Sequence, residues 1–159
     1  MTDNTEKWAL VTGASGGLGE AFALELAARG WNLILVARNA AKLQAVAAKA
    51  KQISGKRAEP LQYDLGSSRS ARLLHDDVTA RGIKADLIIN NAGSGLFGES
   101  VELDQEKVTA MLHLDVIALT EISNLFGADM KARRSGAILD VASVAGRAPM
   151  PYFASDGAA

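Results

Sequence analysis

A rhythm of short apolar runs constrains this chain more than any single residue does. WALV (8–11), NLILVA (32–37), EPLQY (59–63), DLIIN (86–90) and AILDVAS (137–143) are bounded by Gly, Pro, Asn or charge, and longer amphipathic stretches separate them. Several runs are apolar without alternation, as expected of strands covered on both faces. In the first intervening stretch Leu18, Phe22 and Leu26 recur at helical spacing, and Gly30 stops the pattern. Leu43, Val46 and Ala50 mark a second helix ending near Gly55, and residues 68–81 a third ending at Gly82. A long fourth helix is expected over residues 104–133, with Val108, Met111, Leu112, Asp115, Leu119, Ile122 and Phe126 on or near one stripe. Arg133 and Arg134 fall in its last turn, where cations suit the helix dipole, and Gly136 follows. Strand, helix, strand, repeated, predicts a parallel sheet with right-handed crossovers. The expected architecture is one doubly wound α/β domain of about five strands over residues 1–159.

Bulk properties narrow the function classes. Lys plus Arg total 17 against 18 Asp plus Glu, a net charge of -1, so no basic footprint for nucleic acid or an anionic membrane is present. The absence of cysteine excludes thiol catalysis, disulfides and thiolate metal sites. The opening MTDNTEK lacks the apolar core of a signal peptide. No apolar stretch approaches the roughly 18 residues of a membrane span. A soluble, cytoplasmic chain is expected. His75 and His113 have no second His at ligand spacing, so no metal site is expected. Asp76 and Asp77 read as a solvated helix face, and Trp8 and Trp31 as packing anchors at strand starts.

The first strand runs into LVTGASGGLGEAFALEL. Gly13, Gly17 and Gly19 after Thr12 let the backbone turn tightly and let a pyrophosphate approach the amides at a helix N-terminus. Arg38 stands nineteen residues after Gly19, directly beyond the second strand. An acidic residue there would bind a ribose 2′-hydroxyl, whereas an Arg suits a 2′-phosphate and can meet it in a bidentate fork. NADP(H) is therefore favoured over NAD(H). YDL (63–65) and NNAGSG (90–95) follow the third and fourth strands, at the carboxyl edge where open α/β sheets bind ligands.

With TGASGGLG (12–19), Arg38, Asp64, NNAG (90–93) and the serine of LDVASVAG (139–146) in this order, the chain resembles the short-chain dehydrogenase/reductase family. The resemblance spans the whole chain but only the first part of a usual family member, as though truncated after strand five. It implies a Rossmann-type sheet in the order 3-2-1-4-5. It implies cofactor roles for Gly13, Ser15, Gly17, Leu18, Gly19, Arg38, Asp64, Leu65, Asn91, Ala92 and Gly93. The implied chemistry is reversible hydride transfer between a nicotinamide and an alcohol or carbonyl.

Family catalysis uses an Asn, a Ser and a Tyr-x-x-x-Lys pair. A phenol of pKa about 10 is a poor base at neutral pH unless a cation lowers that value, and the serine hydroxyl bonds the substrate oxygen as charge develops. Ser143 matches the serine, but Asp115 holds the Asn position in HLDVIAL. Two alignments compete for the tyrosine. Tyr152, nine residues after Ser143, would put Asp156 in the lysine position; alternatively Asp156 itself, thirteen residues on, holds the tyrosine position. The second is preferred, because Pro-Tyr in relatives with a similar SVAGRAPMPYFAS stretch belongs to the preceding loop; the lysine would then fall just past Ala159. A carboxylate only accepts hydrogen bonds where an amide also donates, and it is no like-for-like replacement for a phenol.

Three readings follow. The chain is an NADP(H)-dependent oxidoreductase with impaired catalysis, or a non-catalytic dinucleotide-binding or interaction module. In the third, Asp115 and Asp156 perform acid/base chemistry of another kind. An exposed edge strand and a partly bare long helix predict a homo-oligomer.

Overall fold

The computed structural model describes residues 6–148 and 150–159. Most of the polar N-terminal lead-in, residues 1–5, and Pro149 lie outside the described residues. Strands β1 (Trp8–Thr12), β2 (Asn32–Ala37), β3 (Ala58–Gln62), β4 (Leu87–Asn90) and β5 (Ala137–Asp140) form one parallel sheet in the order β3-β2-β1-β4-β5. Around it run α1 (Gly17–Ala28), α2 (Ala40–Ser54), α3 (Ser70–Ala80), α4 (Gln105–Leu112), α5 (Leu119–Arg133) and the short α6 (Ala154–Ala158).

The unbroken apolar strands have a direct cause. In β1, Trp8 and Leu10 face one core cluster with Ile34, Val36, Leu74, Ile88, Ile122 and Phe126, on the side of α3 and α5. Ala9 and Val11 face the opposite cluster with Leu33, Leu35, Leu43 and Val46, on the side of α1 and α2. Both pleats are therefore dry, as a sheet sandwiched between helix layers requires. Strand β5 differs: it sits at the sheet's edge and all four of its residues are exposed.

Four expectations need correction. Helix α1 buries Gly19, Ala23, Leu26 and Ala27, whereas Leu18 is 63% exposed. The helical period was right, but at the start of the helix small residues face the sheet, because Gly19 lies against the Gly13 carbonyl. The run 137–143 is strand only to Asp140; beyond it the Ser143 hydroxyl accepts from Ala145 N at 3.1 Å and bends the chain into a 3₁₀ turn, Val144–Gly146. The long fourth helix is continuous over Gln105–Arg133, 29 residues, but a π-helical turn, His113–Ala118, interrupts its α geometry between α4 and α5. By length and composition this helix could cross a membrane, contrary to the reading that no stretch comes near. Its buried side chains Ala118, Ile122, Phe126 and Met130 join the sheet's core instead.

Candidate functional site

The site begins where β1 becomes α1. Thr12, 1% exposed, accepts from Asn91 N and Ala92 N, both at 2.9 Å, through its one hydroxyl oxygen. That single side chain ties the loop after β4 to the end of β1. Asn91 answers by donating its side-chain amide to Thr12 O at 3.1 Å. Gly13 adopts φ 66°, and a Cβ there would meet Asn91 Nδ2 at 2.8 Å and Ala92 Cα at 2.9 Å. A Cβ on Gly19 would press into the Gly13 carbonyl. These two positions admit only glycine, one for conformation and closeness, the other for closeness alone. The turn they allow brings the first amides of α1 to the sheet's carboxyl edge.

A cleft of about 330 Å³ opens beside this turn, at the small end of ligand-site volumes. Of the residues expected from the sequence, Gly13, Ser15, Arg38, Asp64, Leu65, Asn91, Ala92 and Gly93 line it. Gly17, Leu18 and Gly19 do not; they form the helix start next to it. Arg38 is exposed at the rim and, among the described residues, enters no ion pair. Its backbone carbonyl accepts from Gln62 Nε2 at 3.0 Å, which fixes the main chain from which the guanidinium projects. Asp64 turns its carboxylate onto Gly66 N at 3.0 Å, shaping the loop after β3.

Sequence reading passed over Asn39 and Leu114, which also line the cleft, as does Tyr63 of the YDL run. Asn39 caps α2, accepting from Lys42 N at 3.0 Å, and its position after Arg38 was the available signal. Tyr63 donates its hydroxyl to Asp77 at 3.2 Å. Burial, and then the Asp77 carboxylate, push its phenol above the usual value, so it stays a neutral wall. Leu114 comes from the π-helical turn, which a periodicity argument cannot see.

Three of the four candidate catalytic residues, Asp115, Asp156 and Tyr152, touch the loop that continues from Gly93. Asp115, in the π-helical turn, accepts from Ser94 N at 3.0 Å. Asp156, in α6, accepts from Leu96 N at 3.1 Å. Burial first, and then the Asp156 charge, hold the Asp115 carboxyl above the ordinary Asp range, against the lowering effect of the Ser94 amide. The two carboxylates are thus electrostatic neighbours on one loop. Ser143 is exposed and its hydroxyl caps the 3₁₀ turn. Tyr152 is 52% exposed at φ 66°; its ring meets Phe97 at 5.4 Å and its carbonyl accepts from Gly98 N at 3.0 Å. Between the two candidates for the tyrosine position, Asp156 is the one within reach of Asp115. Asn90, buried, bridges β4 to Ser123 and Asp140 at 2.9 and 2.8 Å, a structural tie.

A family model described as short chain dehydrogenase matches residues 7–159. The chain belongs to that family. It is 32% identical to a very-long-chain 3-oxoacyl-CoA reductase of Phaeosphaeria nodorum over 152 residues, covering 93% of this chain and 45% of the relative. It is 28% identical to rat 17-beta-hydroxysteroid dehydrogenase type 3, covering 92% of this chain and 48% of the relative. The chain spans about half the length of the curated relatives it matches. Among solved structures it resembles a short-chain dehydrogenase from Sphingobium yanoikuyae in complex with NADPH (32% identity, TM-score 0.89, 96% of this chain and 59% of that one). A metagenomic short-chain oxidoreductase in complex with NADP is similar at 31% identity, TM-score 0.90, with 96% and 68% covered. Short-chain dehydrogenase membership agrees with the glycine turn and the sheet order.

Proposed function

We propose that this chain binds NADP(H) in the cleft beside Gly13 and Arg38, as the dinucleotide half of a reductase acting between a carbonyl and an alcohol. One observation carries the reading: the two glycine positions closed to any Cβ lie at the head of α1, beside a cleft whose rim guanidinium has no carboxylate partner among the described residues. Such a turn fits a pyrophosphate, and an unpaired guanidinium fits a 2′-phosphate. The bound nicotinamide supplies or accepts the hydride. The chain's own residues would hold the dinucleotide: the amides at the start of α1 would meet its phosphates, and Asp64, Leu65 and Asn91 to Gly93 would line its cleft. The NADPH and NADP complexes of related proteins support this choice of cofactor.

Catalysis by this chain is impaired in the same proposal. Asp115 and Asp156 each commit one oxygen, to Ser94 N and Leu96 N, and neither offers the phenol that donates a proton to a substrate oxygen. Ser143 remains the one family hydroxyl. Loss of a general acid commonly costs about 10²–10⁴ in rate. A carbonyl panel assayed by NADPH consumption tests this. Cofactor saturation with turnover slowed to that extent is expected, and brisk turnover on any panel member would show the proton donor to be present. Complete silence with tight binding favours the second reading, a dinucleotide-binding module without chemistry, which the engaged carboxylates also support.

A further inference from the structure

The dinucleotide cleft is walled by the loop after β3, with Asp64 and Leu65, and by the loop after β4, with Asn91 to Gly93. The π-helical turn His113–Ala118 reaches both. Three consecutive side chains divide the task. His113 Nδ1 lies 3.3 Å from the Leu65 carbonyl oxygen, Leu114 lines the cleft itself, and Asp115 accepts from Ser94 N at 3.0 Å. Successive residues of an α-helix point about 100° apart. A π turn winds more residues into each revolution, so these three neighbours project over a narrower arc toward one cleft.

A carbonyl oxygen only accepts, so the proton of this bond sits on His113 Nδ1. Among the described residues it is the one hydrogen bond that the Leu65 carbonyl makes. The neighbouring bonds stay inside the loop: Gly66 N donates to Asp64 Oδ1 and Ser67 N to the Asp64 carbonyl. Core packing holds the Leu65 side chain, which is 5% exposed. Beyond it the loop and α4 leave a space of about 450 Å³, bordered by Gly66, Ser68, Thr109 and His113. The orientation of the Leu65 peptide therefore falls to the imidazole.

We infer that His113 is a positioning residue of the dinucleotide site, setting the wall against which the adenosine half of the cofactor lies. The inference rests on the proposed NADP(H) site. The 2′-phosphate assigned there to Arg38 belongs to the adenosine ribose. Gln62 and Tyr63, just before Leu65, bond the carbonyls of Arg38 and Ala37, so Arg38 and Leu65 share one edge of the cleft. His113 does not line that cleft and acts only through Leu65. A wall left loose in the free chain must be ordered when the cofactor binds, and that cost weakens affinity.

NADPH and adenosine 2′,5′-bisphosphate, which lacks the nicotinamide half, are titrated against the parent chain and variants, with melting temperature read on the same samples. In His113→Asn the amide nitrogen stands where Nδ1 stood, in His113→Gln it stands where Nε2 stood, and His113→Leu has no donor. The Asn variant should keep the parent's affinity for both probes. The Gln and Leu variants should weaken both about fivefold, the worth of one neutral hydrogen bond. A merely structural histidine would lower the melting temperature and leave the affinity of the folded chain unchanged; that result would overturn the positioning role. Gln performing as well as Asn would overturn the Nδ1 bond as its cause. NADPH weakened without the bisphosphate would move the effect away from the adenosine half and overturn the assignment. Should His113→Leu not fold, the comparison of Asn with Gln decides. A parent that binds neither probe contradicts the dinucleotide reading beneath, whereas a binding parent matched by every variant contradicts this inference alone.

Discussion

Thr12 shows how little chemistry is needed to assemble the site. One buried hydroxyl oxygen accepts two backbone amides from a loop 79 and 80 residues away in sequence. Thr12→Val keeps the shape and strands both donors, so a loss of roughly 1–3 kcal/mol is expected in urea unfolding, with Thr12→Ser nearly unchanged. Asp115 works in the opposite sense. Its folded carboxyl titrates above the ordinary Asp value because burial and Asp156 disfavour the charge. The folded state therefore holds that proton more tightly than the unfolded chain, and this side chain's contribution to stability improves as pH falls through its raised value. Asp115→Asn removes the buried charge and keeps an oxygen for Ser94 N. Its melting temperature should exceed that of the parent at neutral pH, and the gap should close on acidification into the ordinary Asp range. A gap that widens with acid would show that burial does not govern this carboxyl. None of these partners was legible in sequence, because each pairs residues far apart along the chain.

At the scale of elements the sequence was far more readable. Runs apolar on both pleats marked the strands to within a residue at most ends, and Gly30, Gly55 and Gly82 all follow helices at positive φ. What periodicity could not supply was which face of a helix meets the sheet when closeness, not bulk, decides. Helix α1 is the case: Gly19 and Ala23 are buried and Leu18 is not. Gly19→Ala would drive a methyl into the Gly13 carbonyl and lift α1 from β1. A lower melting temperature and a loss of NADPH binding are expected together. Gly16→Ala, with extended φ 170° and nothing within 4 Å of a Cβ, should leave the melting temperature unchanged. The π-helical turn was equally hidden, since an extra residue in a helical turn has no compositional mark, yet it sets where Asp115 and Leu114 point.

In the whole molecule the cover of the sheet falls away from the buried central strands to the exposed β5. Ile138 and Leu139 on the edge strand are 38% and 43% exposed, and Val116 and Ile117 on the long helix 39% and 46%. An apolar unpaired edge is a template for another strand. We propose that the chain self-associates through this side, and Ile138→Lys should shift its sedimentation toward monomer; an unmodified chain already monomeric at micromolar concentration would exclude it. The parallel sheet and the dinucleotide edge were foreseeable from the alternation of runs and the glycine spacing, and the strand order from the family resemblance, whereas the carboxylate-pinned loop became visible only in three dimensions. Everything functional still depends on the cleft beside Arg38. The most direct measurement is therefore paired titration of NADPH and NADH against the parent and Arg38→Ala. A preference for NADPH of about tenfold or more, collapsing toward parity in Arg38→Ala, is expected from the loss of a charge-assisted fork. Equal affinity for both cofactors in the parent, or binding of neither, would contradict it.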